Sequence, residues 1–196
     1  MIRKNLTRVS LIDPKLSELK KALKTSVQPK IGKNVWIHPS AQVIGRVTLK
    51  DFSNIWPLAV LRGDINEIVI GRYSNIQDLS IVHLESEKGC FVGDYCVVGH
   101  SVILHACTVK DAALIGMGSA ILNGAVIGEG ALIGAKSLVT ENMRVKPESL
   151  YLGSPARYVR KLTKKEVKQH VDWAEKYAKL AKLHAEDKFL NVLDIQ

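Results

Sequence analysis

Residues 109–145 read VKDAALIGMGSAILNGAVIGEGALIGAKSLVTENMRV. An aliphatic residue returns at every sixth position, at Val109, Ile115, Ile121, Ile127, Ile133, Val139 and Val145, and small residues follow four places later at Ala113, Ser119, Ala125, Ala131 and Ser137. A period of six matches neither the 3.6-residue face of a helix nor the two-residue alternation of an ordinary hairpin. It is the signature of a solenoid, in which each short parallel strand turns its aliphatic residue inward and sets a small residue at a tight corner. Three such units close one triangular coil of about 18 residues.

The ladder extends upstream through Ile31, Ile37, Val43, Leu49, Ile55 and Leu61, and resumes after a three-residue insertion at Ile70, Ile76 and Val82. Ala41, Ser53, Ala59, Ser74 and Ser80 keep the small position. Between Val82 and Val109 two registers compete: Phe91, Val97, Ile103 or Val92, Val98, Leu104. The second sets Gly93 and Gly99 directly after the inward residue, where Gly32, Gly71, Gly116, Gly128 and Gly134 already stand, and it requires one deleted residue before Val109. The expectation is a mainly β chain, with six or seven coils over residues 31–148.

Residues 1–30 form an arm in which Asp13 and Pro14 open a short helix to about Lys24, with Leu16, Leu19 and Leu23 on one face. A connecting segment follows the coils at 149–162. Residues 163–196 begin with the capping box Thr163 to Glu166 and continue as a helix whose stripe is Val167, Val171, Ala174, Ala178 and Ala181, widened by Leu180 and Leu183.

Net charge is +9, yet lysine and arginine outnumber aspartate and glutamate by 8 to 2 in residues 1–30 and 10 to 6 in residues 157–196, against 10 to 11 between them. The core is therefore near neutral and carries no basic stripe with interleaved aromatics, which argues against a nucleic-acid partner. No apolar run approaches the roughly 20 residues that span a bilayer. The first residues lack a secretory h-region, so a cytoplasmic protein without membrane partners is expected. Cys90, Cys96 and Cys107 are odd in number and without C-x-x-C spacing, which points to buried reduced thiols. Three of the six histidines, His83, His100 and His105, fall within residues 82–108, the first candidate for a metal site.

The motifs narrow this further. Arg62-Gly63-Asp64, Asn75-Ile76-Gln77-Asp78, the histidines of IVH, VGH and LHAC at His83, His100 and His105, IGMG at 115–118 and LYLGSPAR at 150–157 resemble, in order and spacing, the γ-class carbonic anhydrase family. The likeness covers about residues 28 to 165. It implies a left-handed parallel β-helix of hexapeptide repeats and a homotrimer, with zinc, or iron or cobalt, at each subunit interface. His83 and His105 would come from one subunit and His100 from the next, to hydrate CO2 reversibly to bicarbonate by metal hydroxide.

In the preferred register His83 and His105 each follow an inward residue by one step and project outward from equivalent places, whereas His100 follows by two. Gln77 follows Ile76 as His83 follows Val82, so a shared orientation toward the metal hydroxide is expected. Arg62, Asp64 and Asp78 are expected as an ion-pair network that holds coils or subunits together, and Asn75 and Tyr151 match pocket positions of the family. Two departures stand out: Ile65 replaces the glutamate of the family's best-known member, and only 16 residues separate His83 from His100, without the acidic loop that member inserts. Glu85 or Glu87 are candidates to carry protons instead. Two other functions remain open, metal-dependent acyl-CoA thioester hydrolysis and a homologue that only assembles.

Overall fold

The computed structural model describes residues 27–189. The helix expected from Pro14 to about Lys24 lies outside them. The fold is a left-handed parallel β-helix of about seven turns with one C-terminal helix. Its short strands stack into three faces. One face, the histidine face, stacks Gln42, Val60, Ile81, Ile103, Ala120 and Leu138 in register. A second runs from Trp36 through Asn54, Asn75, Val97, Leu114 and Leu132 to Leu150. The third runs from Lys30 through Thr48, Val69, Phe91, Thr108 and Val126 to Arg144.

Inward residues from Leu49 to Val145 are buried at every step of the ladder, including Val92, Val98 and Leu104, whereas Phe91 and Ile103 are 37% and 42% exposed. The register chosen from the glycines is the one that folds. Three of the serines two places before an inward residue bridge successive coils. Ser74 Oγ donates to Gly93 O at 2.6 Å and accepts from Cys96 N at 2.8 Å, and Ser80 and Ser119 bridge coils in the same way. Cys90, Cys96 and Cys107 occupy this same position, buried and unpaired by any disulfide. Burial pushes the Cys96 thiol up to about 12.

The spacing between successive inward residues is six at two of the three corners. At the third, between the histidine face and the third face, it stretches from Leu61 to Ile70 and from Val82 to Val92, and contracts from Leu104 to Val109. The strand Val60–Ile70 runs continuously around this corner, with a register irregularity opposite Gly45 to Val47. Residues 149–162 are more than a connector. Ser149–Leu152 adds a parallel strand beside Leu132–Ile133, and Arg157–Lys161 folds back antiparallel against it.

Another corner holds Asn34, Phe52, Tyr73, Tyr95, Ala112, Gly130 and Glu148, all at positive φ. Such angles disfavour residues with a Cβ. Here the rings of Phe52, Tyr73 and Tyr95 stack at centroid separations of 4.6 and 5.0 Å, which offsets part of that cost.

The helix Lys164–Ala185 begins with the expected capping box between Thr163 and Glu166. Arg160 clamps Glu166 through both carboxylate oxygens and, with Thr163, holds its carboxyl down at about 2. The docked seam is narrower than the apolar stripe suggested. Ala174 and Ala181 are buried, but Leu183 is exposed, and polar rings complete the contact. His170 Nδ1 donates to Ala112 O at 3.0 Å, Tyr177 packs on the Val97 and Leu114 cluster, and His184 meets Trp36 and Trp56. No helix among the described residues is long and apolar enough to cross a membrane.

Two outcomes test this packing. A methyl at Gly71 would drive into the Gly93 carbonyl of the next coil, so Gly71→Ala is expected to cost about 1–3 kcal/mol in denaturant unfolding. Burial holds the His170 imidazole below its ordinary range, so the unfolded chain takes up a proton that the folded chain refuses as pH drops below about 6.5. Stability is therefore lost as pH falls from that value through the folded one, and Tm measured against pH should fall less steeply in His170→Gln.

Candidate metal centre

His83 and His105 end the strands Ile81–His83 and Ile103–His105, which pair so that the two residues lie in register. Arg62 precedes them in the same outward column, since Leu61, Val82 and Leu104 stack inside it. His83 Nδ1 stands 3.2 Å from His105 Nε2. Two nitrogens bound at about 2.0–2.1 Å to a tetrahedral zinc lie roughly 3.3 Å apart, so the pair has the separation of two ligands of one ion. Their other nitrogens meet oxygen acceptors: His83 Nε2 lies 3.3 Å from Asp64 Oδ1, and His105 Nδ1 lies 2.6 Å from Asn123 Oδ1. That is the support a metal-ligating imidazole needs, because a proton held outward leaves the facing lone pair free. Burial and the Arg62 charge push the His83 pKa down against the pull of Asp64, which favours the neutral ring.

His100 sits in the turn after the strand Val97–Val98, at the other edge of the histidine face, half-exposed. Its Nδ1 lies 2.9 Å from Asp78 Oδ2, leaving Nε2 open. Among the described residues of one chain, no three His, Cys, Asp or Glu side chains converge as a metal site. The donor set nevertheless fits a divalent metal by its chemistry: three imidazoles, each with an outward nitrogen on an oxygen acceptor, two of them already paired.

Within the single chain the charged residues fall into two groups: Arg62 pairs with Asp64, while Asp78 serves His100. Arg62 and Asp64 are exposed on the single chain, where such a pair contributes at most about 1 kcal/mol, not the several that burial would bring. Burial works to raise the Asp64 pKa, but hydrogen bonds from Arg62 and His83 outweigh it and hold the carboxyl below its usual value.

Gln77 does not share the direction of His83. One six-residue repeat turns one corner of the triangle, so Gln77 lies on the helix-bearing face and His83 on the next. Gln77 is buried, donating to Asn75 Oδ1 at 3.0 Å, and Asn75 is itself fully buried. Tyr151 stands six residues after Val145 and consequently points inward, packed into the core of the last coil rather than into a pocket.

The tyrosine that reaches this region is Tyr177 of the helix. With Gln77, His100, Leu114, Met117 and Leu180 it lines a cavity of about 340 Å³. Nothing in the local sequence marks Tyr177, since Gln77 is 100 residues away; only its place three residues after Ala174 on the buried seam identifies it. Asn123 was equally missed, although it lies one coil beyond His105 and directly after Leu122, the next residue of the histidine column. Glu85, a candidate proton carrier, has its carboxylate engaged by the Asn123 amide.

No family model matches the chain. It is 47% identical over 151 residues to a protein of Methanocaldococcus jannaschii named "Probable carbonic anhydrase", covering 77% of this chain and 95% of that one. It is 43% identical over 141 residues to a carbonic anhydrase of Geobacillus kaustophilus, covering 72% and 78%. The mitochondrial gamma carbonic anhydrase 2 of Arabidopsis thaliana matches at 40% identity over 165 residues, covering 81% of this chain and 59% of that longer protein. Among solved structures, a hexapeptide transferase family protein of Anaplasma phagocytophilum superposes with a TM-score of 0.76 at 37% identity, covering 80% and 92%. With motif order, paired histidines and coil architecture in agreement, the chain belongs to the γ-class carbonic anhydrase family.

Proposed function

We propose that the chain hydrates CO2 to bicarbonate at a zinc site shared between subunits of a homotrimer, with His83 and His105 donated by one subunit and His100 by the next. The observation that carries this is the division of the ligands on the single chain: a preformed pair at one edge of the histidine face and a lone imidazole, held by Asp78, at the other edge. A three-fold arrangement sets one edge of each subunit against the opposite edge of its neighbour, which is the closure a cyclic oligomer requires. The relatives named carbonic anhydrase support the reaction.

A divalent metal held by three neutral imidazoles supplies Lewis-acid activation of water near neutral pH. The chain's own residues do the rest. Asp64 and Asn123 orient the paired imidazoles, and Asp78 orients His100. Arg62, its charge tied to Asp64, adds positive potential beside the site where an anionic product forms. Gln77, held by Asn75, presents its amide in the groove beside His100. Iron or cobalt would be accepted by the same nitrogen donors.

The 340 Å³ cavity beside His100 is mostly apolar and far larger than CO2 requires. It favours a second reading, hydrolysis of a small acyl thioester. Stopped-flow CO2 hydration run beside a panel of acyl-CoA substrates separates the two, and activity in neither assay favours an assembly role.

Purified protein should contain about one divalent ion per chain, and His83→Ala and His100→Ala should each abolish metal retention and activity. Mixed trimers of those two variants should regain one intact site each, with activity and metal in proportion; no recovery on mixing rejects the shared site.

A further inference from the structure

The corner where coil lengths vary holds a second line of polar contacts behind His105. Asn66 Nδ2 donates to the carbonyls of Glu85 and Ser86 at 3.2 and 3.0 Å, and Glu85 N donates to Lys88 O at 3.0 Å, so the loop after His83 is pinned on both sides. That loop delivers the Glu85 carboxylate to the Asn123 side-chain amide across 38 residues of sequence. The same amide faces His105 Nδ1 at 2.6 Å.

Hydrogen-bond polarity along this line is forced. A carboxylate only accepts, so the atom that Asn123 turns toward Glu85 is its NH2 group. Its carbonyl oxygen must then face His105, and because that oxygen only accepts, the His105 proton resides on Nδ1. The neutral ring is left with its lone pair on Nε2, the nitrogen that faces His83.

We infer that Asn123 is a positioning residue and Glu85 its polarity anchor: together they fix His105 in the tautomer whose Nε2 can bind the metal. The inference rests on His105 being a ligand, as proposed above, and it assigns Glu85 a structural polarity in place of proton carriage. The contact is unequal between the two paired histidines. His83 leans on the exposed Asp64, which is shared with Arg62, whereas His105 depends on one neutral amide that would serve either tautomer if turned over. Only the charge behind the amide decides its direction.

Reversing that charge provides the test. In Glu85→Lys an ammonium donates to the Asn123 oxygen and turns the amide over, so its NH2 meets His105 Nδ1 and the ring proton moves to Nε2. Nitrogen-15 spectra of histidine-labelled, metal-free protein at a pH near 8, above the usual imidazole range, should show His105, assigned through His105→Gln, as the Nδ1–H tautomer in the unsubstituted protein and as Nε2–H in Glu85→Lys. Zinc affinity, measured by competition with a chromogenic chelator, should fall about 10- to 100-fold in Glu85→Lys and in Asn123→Leu. Adding Asn123→Asp to Glu85→Lys restores an acceptor toward His105 and should return both the tautomer and the affinity. Glu85→Ala should leave the tautomers mixed, and circular dichroism confirms that each variant is folded.

An unchanged His105 tautomer in Glu85→Lys, or an unchanged zinc affinity in folded Asn123→Leu, overturns the inference. If the unsubstituted protein takes up no zinc while the tautomer still follows the charge at position 85, the metal reading falls and the positioning of His105 by Asn123 stands.

Discussion

Each coil of the β-helix hydrogen-bonds to the next in parallel register, so every residue lies against its counterpart one turn away. That constraint makes columns of side chains the unit of this protein, in the interior and on its outside alike. Val82 over Leu104 inside forces His83 over His105 outside, and Leu61 sets Arg62 above both. No flexible loop has to find the geometry of the histidine pair, because it is inherited from the backbone ladder. Ser74, Ser80 and Ser119 strengthen this inheritance by donating to one carbonyl and accepting from one amide of the following coil, which helps strands of two or three residues hold their register despite their length.

The imidazoles themselves are governed by what stands behind them. Each of the three has an oxygen acceptor on its outward nitrogen, but the acceptors differ in kind: Asp64 for His83, Asp78 for His100, a neutral amide for His105. Two carboxylates and one amide add less negative charge around the three imidazoles than three carboxylates would, and a divalent ion held there would be a better acid toward water for it.

Much of the fold was legible in the primary structure, because a six-residue period is a property of the backbone that any aliphatic side chain can report. Glycines placed after the inward residue even resolved the ambiguous register at Val92, Val98 and Leu104. Tyr151 obeyed the same arithmetic, six residues after Val145, and the resemblance drew it outward against its own period. Direction in three dimensions was harder. Gln77 and His83 occupy equivalent positions on consecutive repeats, yet a repeat is also a corner, and equivalence along the chain means divergence in space. Contacts from far away left no local trace: Tyr177 of the helix lines one cavity with Gln77, and Glu85 reaches Asn123 across 38 residues. The helix seam was misjudged at Leu183 because apolar periodicity cannot see His170, Tyr177 and His184, polar rings that dock by packing and one hydrogen bond.

All irregular spacing of the ladder falls at one corner, on three consecutive coils, and those coils carry Arg62, His83 and His105. Elsewhere an inserted residue would rotate every later side chain out of its column. Here the extra chain loops outward while the strands on either side keep their phase, and the entropic cost of lengthening such a loop grows only slowly with its length. The corner thus works as an expansion joint in an otherwise rigid prism. Residues facing the candidate metal ligands can be added, removed or exchanged there without re-registering the scaffold, and one backbone is able to carry different chemistries past the same pair of histidines.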